Sequence, residues 1–371
     1  MGLLAIAGVV IGAVIMLLAA QTLHLSSVLR WEDQETRGLG YYGKSLAERR
    51  RFKSRLKRHA VWLAPILKLS GRLSKMDFRR ASFVHRGVAG PLGSAGPATF
   101  AAAAEYQPRP EDVFVVTQMK CGTTWMQHLV YEVAMRGQGT LVETGTALYS
   151  IAPWLEGLRS VPLSQASTIG VERPVRIIKT HLPDSLCPKS TVAKYIYVAR
   201  HPVSCFASCV DFISTTAGVM APTLAACEAW YTSPDLMWWG TWPEHVAGWW
   251  RRAQTEPNVL FVYFEDMKRD LAAVGRRVAD FLGMAPLSDA ELTRVVEKCG
   301  FDYMQRHQEM FEMSPPHILQ TNAEIFVRGT ADRHADVPAD VRRRIAAWSV
   351  DQMKASGFPM AVAYPDLAGP T

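Results

Sequence analysis

Between Gln118 and Thr124 the chain reads Gln-Met-Lys-Cys-Gly-Thr-Thr, which places one glycine, one cation and two hydroxyls within seven residues. Backbone amides and the dipole at a helix start attract an anion, the glycine permits close approach, and Lys120 adds charge. Phosphate binding is the chemistry this implies. It is not a Walker A loop, since no Gly-Lys-Ser/Thr follows a spaced glycine, and Gly-Thr-Thr alone also serves as a helix cap. Lys179 and His181 stand two residues apart in Lys-Thr-His-Leu-Pro, Arg200 opens Arg-His-Pro, and Ser208 follows it. A histidine of ordinary pKa, about 6.5, accepts a proton near neutral pH, and lysines stabilise a departing anion. Each has a plainer role when taken singly: His181 as a loop residue, Arg200 as a structural ion pair with an acid such as Asp211. No His, Asp or Glu cluster has ligand spacing, so the chemistry expected here uses no metal.

The elements that must position these groups are short and apolar. Asp112 to Thr117, Val175 to Lys179 and Lys194 to Ala199 read as buried strands, and helical patterns follow at Trp125 to Arg136 and Val203 to Ile213. The expected fold is α/β, a mainly parallel central sheet flanked by helices, with a P-loop-like phosphate site. In such sheets ligands bind at the carboxyl ends of strands, where Lys120, His181, Arg200 and Ser208 converge.

Three blocks together, KCGTTW at 120–125, KTHLP at 179–183 and YVARHPVSCFAS at 197–208, resemble the cytosolic sulfotransferase family; WGTWPEHVAGWW at 239–250, VLFVYFEDMKRD at 259–270 and FVRG at 326–329 extend the likeness. It covers roughly Ala104 to the carboxyl end. The resemblance implies transfer of a sulfuryl group from 3′-phosphoadenosine 5′-phosphosulfate (PAPS) to a hydroxyl. It makes His181 the base, with Lys120 and Lys179 as charge stabilisers. Lys120, Gly122, Thr123 and Thr124 would cradle the 5′ end of the nucleotide. Trp125 and Phe301 would flank adenine, and Arg200, Ser208, Arg328 and Gly329 would hold the 3′-phosphate. The chain departs from the family at Gln118-Met119 for Tyr-Pro, Cys121 for serine, Phe264 for tyrosine, Cys299 for threonine, and in the closing motif at Arg328-Gly329. The rival classes are a P-loop nucleotide kinase or phosphotransferase, which would need Mg²⁺ ligands, and a catalytically silent membrane scaffold.

Gly2 to Ala20 is an unbroken apolar and small-residue run, long enough as a helix to cross about 30 Å of hydrocarbon. No Lys or Arg precedes it, which argues for an anchor over a signal peptide. The whole chain has a net charge of +7, and Lys44 to Arg58 alone carries that much, so the rest sums to zero. A nucleic-acid-binding surface is excluded by that concentration. Instead the basic flank predicts a single-pass protein with a cytoplasmic body and contact with anionic headgroups. The organisation expected is a transmembrane anchor over 1–25, a basic juxtamembrane segment with a linker at Gly87 to Ala104 over 26–104, and a sulfotransferase domain over 105–371. His59 to Arg80 suits either an interfacial helix or one packed on the body. On this division, removing residues 1–58 would leave nucleotide binding intact. The six cysteines, without a CxxC pair, read as reduced thiols. The loops 149–170 and 211–241, with Tyr149, Trp154, Leu155, Phe212, Met220, Tyr231 and Met237, imply an apolar small-molecule or lipid acceptor. Trp249 and Trp250 read as core. Oligomeric state is not legible.

Overall fold

The computed structural model describes residues 2–320 and 337–367. Arg328 and Gly329 lie outside the described residues.

Four strands, β3 (Asp112–Val116), β4 (Arg176–Thr180), β5 (Lys194–Ala199) and β6 (Val259–Tyr263), form one all-parallel sheet in the order β4-β3-β5-β6. β3, β5 and β6 are near-continuous apolar runs because helices cover both faces, whereas β4, at the edge, keeps Arg176, Lys179 and Thr180 beside its two isoleucines. Alternation divides the side chains between two cores. Phe114, Val116, Ile178, Tyr195 and Tyr197 enter one; Val113, Val115, Ile177, Ile196 and Val198 enter the other. The helix Thr123–Ala134 covers the second face, and Pro202–Ala217 and Trp242–Thr255 cover the first. Trp249 stacks on Tyr197 at 5.6 Å, so it is core as expected. β3 pairs with β4 on one side and β5 on the other, so connections leave it in opposite directions. The crevice this opens lies at the strands' carboxyl ends.

The stretch 87–104, expected as a linker, is folded. β1 (Ser82–His85) and β2 (Val88–Pro91) make an antiparallel hairpin whose two-residue turn, Arg86-Gly87, has φ of 49° and 80°. A Cβ at Gly90 would lie 2.4 Å from Phe83 Cζ, so only glycine lets the hairpin close on that ring. The helix Pro97–Ala104 follows, with Phe100 fully buried.

Helix α1 spans Gly2–Thr36, and α2 spans Leu46–Leu73, running through Pro65 and opened by a Ser45/Glu48 capping box. The apolar side chains of α1 from Ile6 to Leu17 stand largely exposed. Its carboxyl half packs against α2, with Gln21 Nε2 donating to Trp62 O at 3.0 Å and Trp31 stacked on Phe52 at 4.8 Å. One face of α2, Phe52, Leu56, Leu63 and Leu67, is buried in the second core, which settles the choice for that face in favour of packing. The basic stretch therefore contributes to the folded body. Arg49 is buried and donates to Glu309 O at 2.8 Å and Gly145 O at 2.7 Å, while Arg50 and Lys53 pair with Glu309. Among the described residues a second helical segment, Pro202–Met220, is also long and apolar enough to cross a membrane, but half of it is buried as a core element.

Candidate active site

A cavity of about 670 Å³ opens at the carboxyl ends of β3, β4 and β5. The phosphate loop forms its floor. Lys120 has φ of 65°, and Gly122 has φ of 98°, a conformation glycine adopts without steric cost. A Cβ there would also come within 2.7 Å of Phe264 Cδ2. The helix Thr123–Ala134 starts at Gly122 with no side-chain cap, so Gly122 to Trp125 present an uncapped helix start along the cavity. The two hydroxyls are already engaged: Thr123 Oγ1 with Thr117 Oγ1 at 2.6 Å, Thr124 Oγ1 with Tyr149 OH at 2.8 Å. Backbone amides and cations are thus what the loop offers an anion.

His181, just past β4, is buried between Trp154 and Trp239, with ring centroids at 5.6 and 4.9 Å. Its Nδ1 lies 2.9 Å from Thr117 O. A carbonyl only accepts, so Nδ1 donates and Nε2 keeps its lone pair. Burial, then Lys179, pushes its pKa well below the usual histidine value, against the Thr117 hydrogen bond. The ring is therefore neutral, and Nε2 is a ready base. Its backbone is held from two sides. His181 N donates to Glu156 Oε1 at 2.8 Å, and His245 Nε2 donates to His181 O at 2.9 Å. Thr180 Oγ1 donates to Glu156 Oε2 at 2.8 Å.

Lys179 Nζ sits 3.9 Å from the Trp154 ring centroid and 5.2 Å from that of Tyr149. Burial lowers its pKa to about 7, with Glu156 opposing and Lys120 assisting the shift. Lys120 Nζ lies 4.7 Å from the Phe212 ring centroid. Arg200 donates from Nη1 to Lys120 O at 2.9 Å and lies over Phe264 at 4.5 Å. Its Nε is buried without a hydrogen-bond partner among the described residues, an orphaned donor that suits an anionic oxygen. The cavity brings together Lys120, Gly122, Thr123, Thr124, Trp125, Lys179, His181, Arg200, Ser208 and Phe301, all expected from the sequence. Among the described residues no group of three His, Cys, Asp or Glu gathers as a metal site.

Departures from the family pattern have structural roles. Gln118 donates from Nε2 to Trp238 O and Gly240 O, both at 3.0 Å. Cys121 Sγ lies 3.6 Å from Cys205 Sγ in a buried cluster, and all six cysteines are free and buried. The backbone carbonyl of Cys299 accepts from Trp125 Nε1 at 2.8 Å, which fixes the indole. Of the expected acceptor residues, Trp154 and Phe212 line the cavity, joined by Met76, Leu92, Trp238 and Trp239. Tyr149, Leu155, Tyr231 and Met237 are buried and absent from the lining, and Met220, partly buried, is absent too. Sequence reasoning missed Glu156 and Thr117, since neither has a motif of its own; a lone acid in the apolar run Ala-Pro-Trp-Leu-Glu was the available signal. It also missed the N-terminal contribution. Tyr41 OH donates to Glu312 Oε2 at 2.6 Å and Ile318 N donates to Glu32 Oε1 at 2.7 Å, bracing a segment that supplies Met313 to Gln320 to the wall.

Residues 110–357 match the family model described as Sulfotransferase domain. Sulfotransferase 2A2 of Mus musculus is 30% identical over 256 residues, covering 68% of this chain and 86% of its own length. Sulfotransferase 1C2 of Oryctolagus cuniculus is 28% identical over 229 residues, covering 60% and 76%. In fold the chain is similar to retinol dehydratase in complex with androsterone and PAP, the inactive cofactor, with TM-score 0.58, 21% identity, and 76% and 96% coverage. It is also similar to a mouse sulfotransferase complexed with PAP, with TM-score 0.57, 20% identity, and 78% and 98% coverage.

Proposed function

This chain belongs to the sulfotransferase domain family, and we propose that it is a membrane-anchored enzyme that uses PAPS to sulfate a hydroxyl on an apolar small molecule or lipid. The observation that carries the reading is the tautomer of His181, whose Nε2 lone pair faces a cavity flanked by Lys179 and Lys120. The uncapped helix start, Lys120 and the open Nε of Arg200 suit the donor's phosphates, and PAP in two structural relatives agrees with that donor. PAPS would supply the sulfuryl group.

The side chains divide the remaining work. His181 Nε2 takes the acceptor's hydroxyl proton as the oxygen turns nucleophilic. Lys120 and Lys179 offset the charge that builds on the leaving phosphate, in a buried site where such interactions are strong. Arg200 and Ser208 hold the 3′-phosphate, and Trp125 and Phe301 flank adenine. Apolar Met76, Leu92, Phe212, Trp154 and Trp238 suit an apolar acceptor. α1 would span the bilayer with the body on the cytoplasmic side, the flanking cations opposing transfer of the body.

Full-length protein in nanodiscs tests this with a panel of hydroxylated apolar acceptors. The reading predicts PAPS-dependent sulfate transfer and a thermal shift with adenosine 3′,5′-bisphosphate. Absence of both sinks it.

A further inference from the structure

The buried face of α2 is one side of that helix; the side opposite, over its second half, carries Val61, Trp62, Pro65, Leu69 and Leu73, all exposed, with Val61 at 77% and Leu73 at 78%. At 100° per residue these five fall within about a third of the circumference, opposite Leu63, Leu67 and the Phe52 side. By the same count Lys68 stands at the edge of the stripe, Arg72 within it near its end, and Lys75 just past the helix, all exposed. An apolar stripe edged by cations is the pattern of a helix seated in an anionic bilayer surface.

Two further observations identify what covers it. Trp62 is tied to α1, through Gln21 Nε2 to Trp62 O and through the His24 ring, 4.8 Å from the indole in a T-shaped contact. Gln21 is the residue after the apolar run, so the stripe begins where the anchor leaves hydrocarbon. The far end of α2 adjoins the cavity. Lys75 Nζ donates to Val219 O at 3.0 Å and Met76 N donates to Met220 O at 2.8 Å, just after Thr216 and Ala217, and Met76, Thr216 and Ala217 line the cavity. Leu92, half exposed, lines it too.

We infer that the exposed stripe of α2 lies in the interface of an anionic bilayer, so that the acceptor end of the cavity, at Met76 and Leu92, faces the membrane and draws a bilayer-dissolved, hydroxylated lipid. This rests on the proposed anchoring by α1. A long apolar acceptor then need not cross water to reach His181; it enters past Met76, just beyond the end of α2.

The six native cysteines are buried, so single introduced cysteines can be labelled selectively. Leu69→Cys, Leu73→Cys, Val9→Cys on α1 and Val192→Cys before β5, each exposed in the parent, would carry a nitroxide on full-length protein in nanodiscs. The nanodiscs would be of phosphatidylcholine, with or without phosphatidylserine. Relaxation by oxygen, enriched in lipid, and by an aqueous nickel chelate then reports depth. Positions 9, 69 and 73 should favour oxygen and position 192 nickel, with 69 and 73 more immersed when phosphatidylserine is present. Water-like behaviour at 69 and 73 with immersion at 9 overturns the inference alone. Water-like behaviour at 9 overturns the anchoring beneath it. Equal immersion in both lipids overturns the anionic preference, and spin–spin broadening between labels at 73 would assign the face to a second copy instead. None of these outcomes depends on turnover, so the sulfotransferase reading is tested separately by the adenosine 3′,5′-bisphosphate thermal shift.

Discussion

Replacing Glu156 by glutamine isolates its charge from its scaffold role. The carboxylate is fully buried and takes two hydrogen bonds, from His181 N and Thr180 Oγ1, both at 2.8 Å. Glutamine keeps an acceptor for His181 N, and its amide can donate to the threonine hydroxyl, so the strand end stays in place. Charge is what disappears. Glu156 is the group that holds the Lys179 pKa up against burial, leaving it at about 7; without it that pKa falls further. On the proposed function Lys179 serves as a cation, so activity that needs it protonated is lost as pH rises through its pKa. The alkaline limb of kcat in Glu156→Gln should therefore move to lower pH, with thermal stability near that of the parent. Glu156→Ala removes both roles. Two buried donors orphaned at about 1–3 kcal/mol each put the loss at about 2–6 kcal/mol. Displacement of His181 by about 1 Å would lower kcat on the order of 10²-fold. The readouts are kcat against pH for the glutamine variant and chemical denaturation plus kcat for the alanine variant. If the Glu156→Gln profile overlays the parent profile, the electrostatic coupling to Lys179 is refuted; if Glu156→Ala turns over normally, so is the positioning.

His181→Ala should lower kcat by about 10²–10⁴-fold while adenosine 3′,5′-bisphosphate still raises Tm, as calorimetry with and without the nucleotide will show. In the parent, the acid limb of kcat/KM should lie below the ordinary histidine range, because burial and Lys179 keep His181 neutral to lower pH; a limb near about 6.5 would contradict that. Gly122→Ala meets both a φ of 98° and the Phe264 ring, so nucleotide affinity measured by titration calorimetry should fall and stability drop by about 1–3 kcal/mol. Removing residues 1–58 should destabilise the body and weaken nucleotide binding, since Arg49, Tyr41 and Glu32 go with it; removing only 2–20 should not, and thermal melts of the two truncations decide.

Much of the sheet and of the candidate site's lining was legible because local pattern carries them. The run Lys194–Ala199 is a buried strand by composition, with the bounds observed, and Lys120, His181 and Arg200 each follow such a run. The hairpin at 82–91 was not, because its evidence is a contact between distant rings, Phe83 and Phe100, closed over Gly90. The basic segment misled for a related reason. Eight cations in fifteen residues read as a juxtamembrane flank outside the folded domain, yet periodicity places Arg49 with Phe52 and Leu56 on the buried side, where carbonyls of residues 145 and 309 receive it. Glu156 escaped notice because a buried acid declares its role only when its donors, 24 and 25 residues away, are known.

Lys179 and His181 are separated by one residue at the end of β4, so pleating sends both to the same side. The proposed base and cation therefore move together, tied to one strand end. The apolar cavity walls at Met76, Leu92, Phe212 and Trp238 come from four other segments. Substitutions among them can reshape what the cavity admits while the Lys179–His181 pair stays untouched, so on the proposed function acceptor choice can drift on a chemically fixed frame.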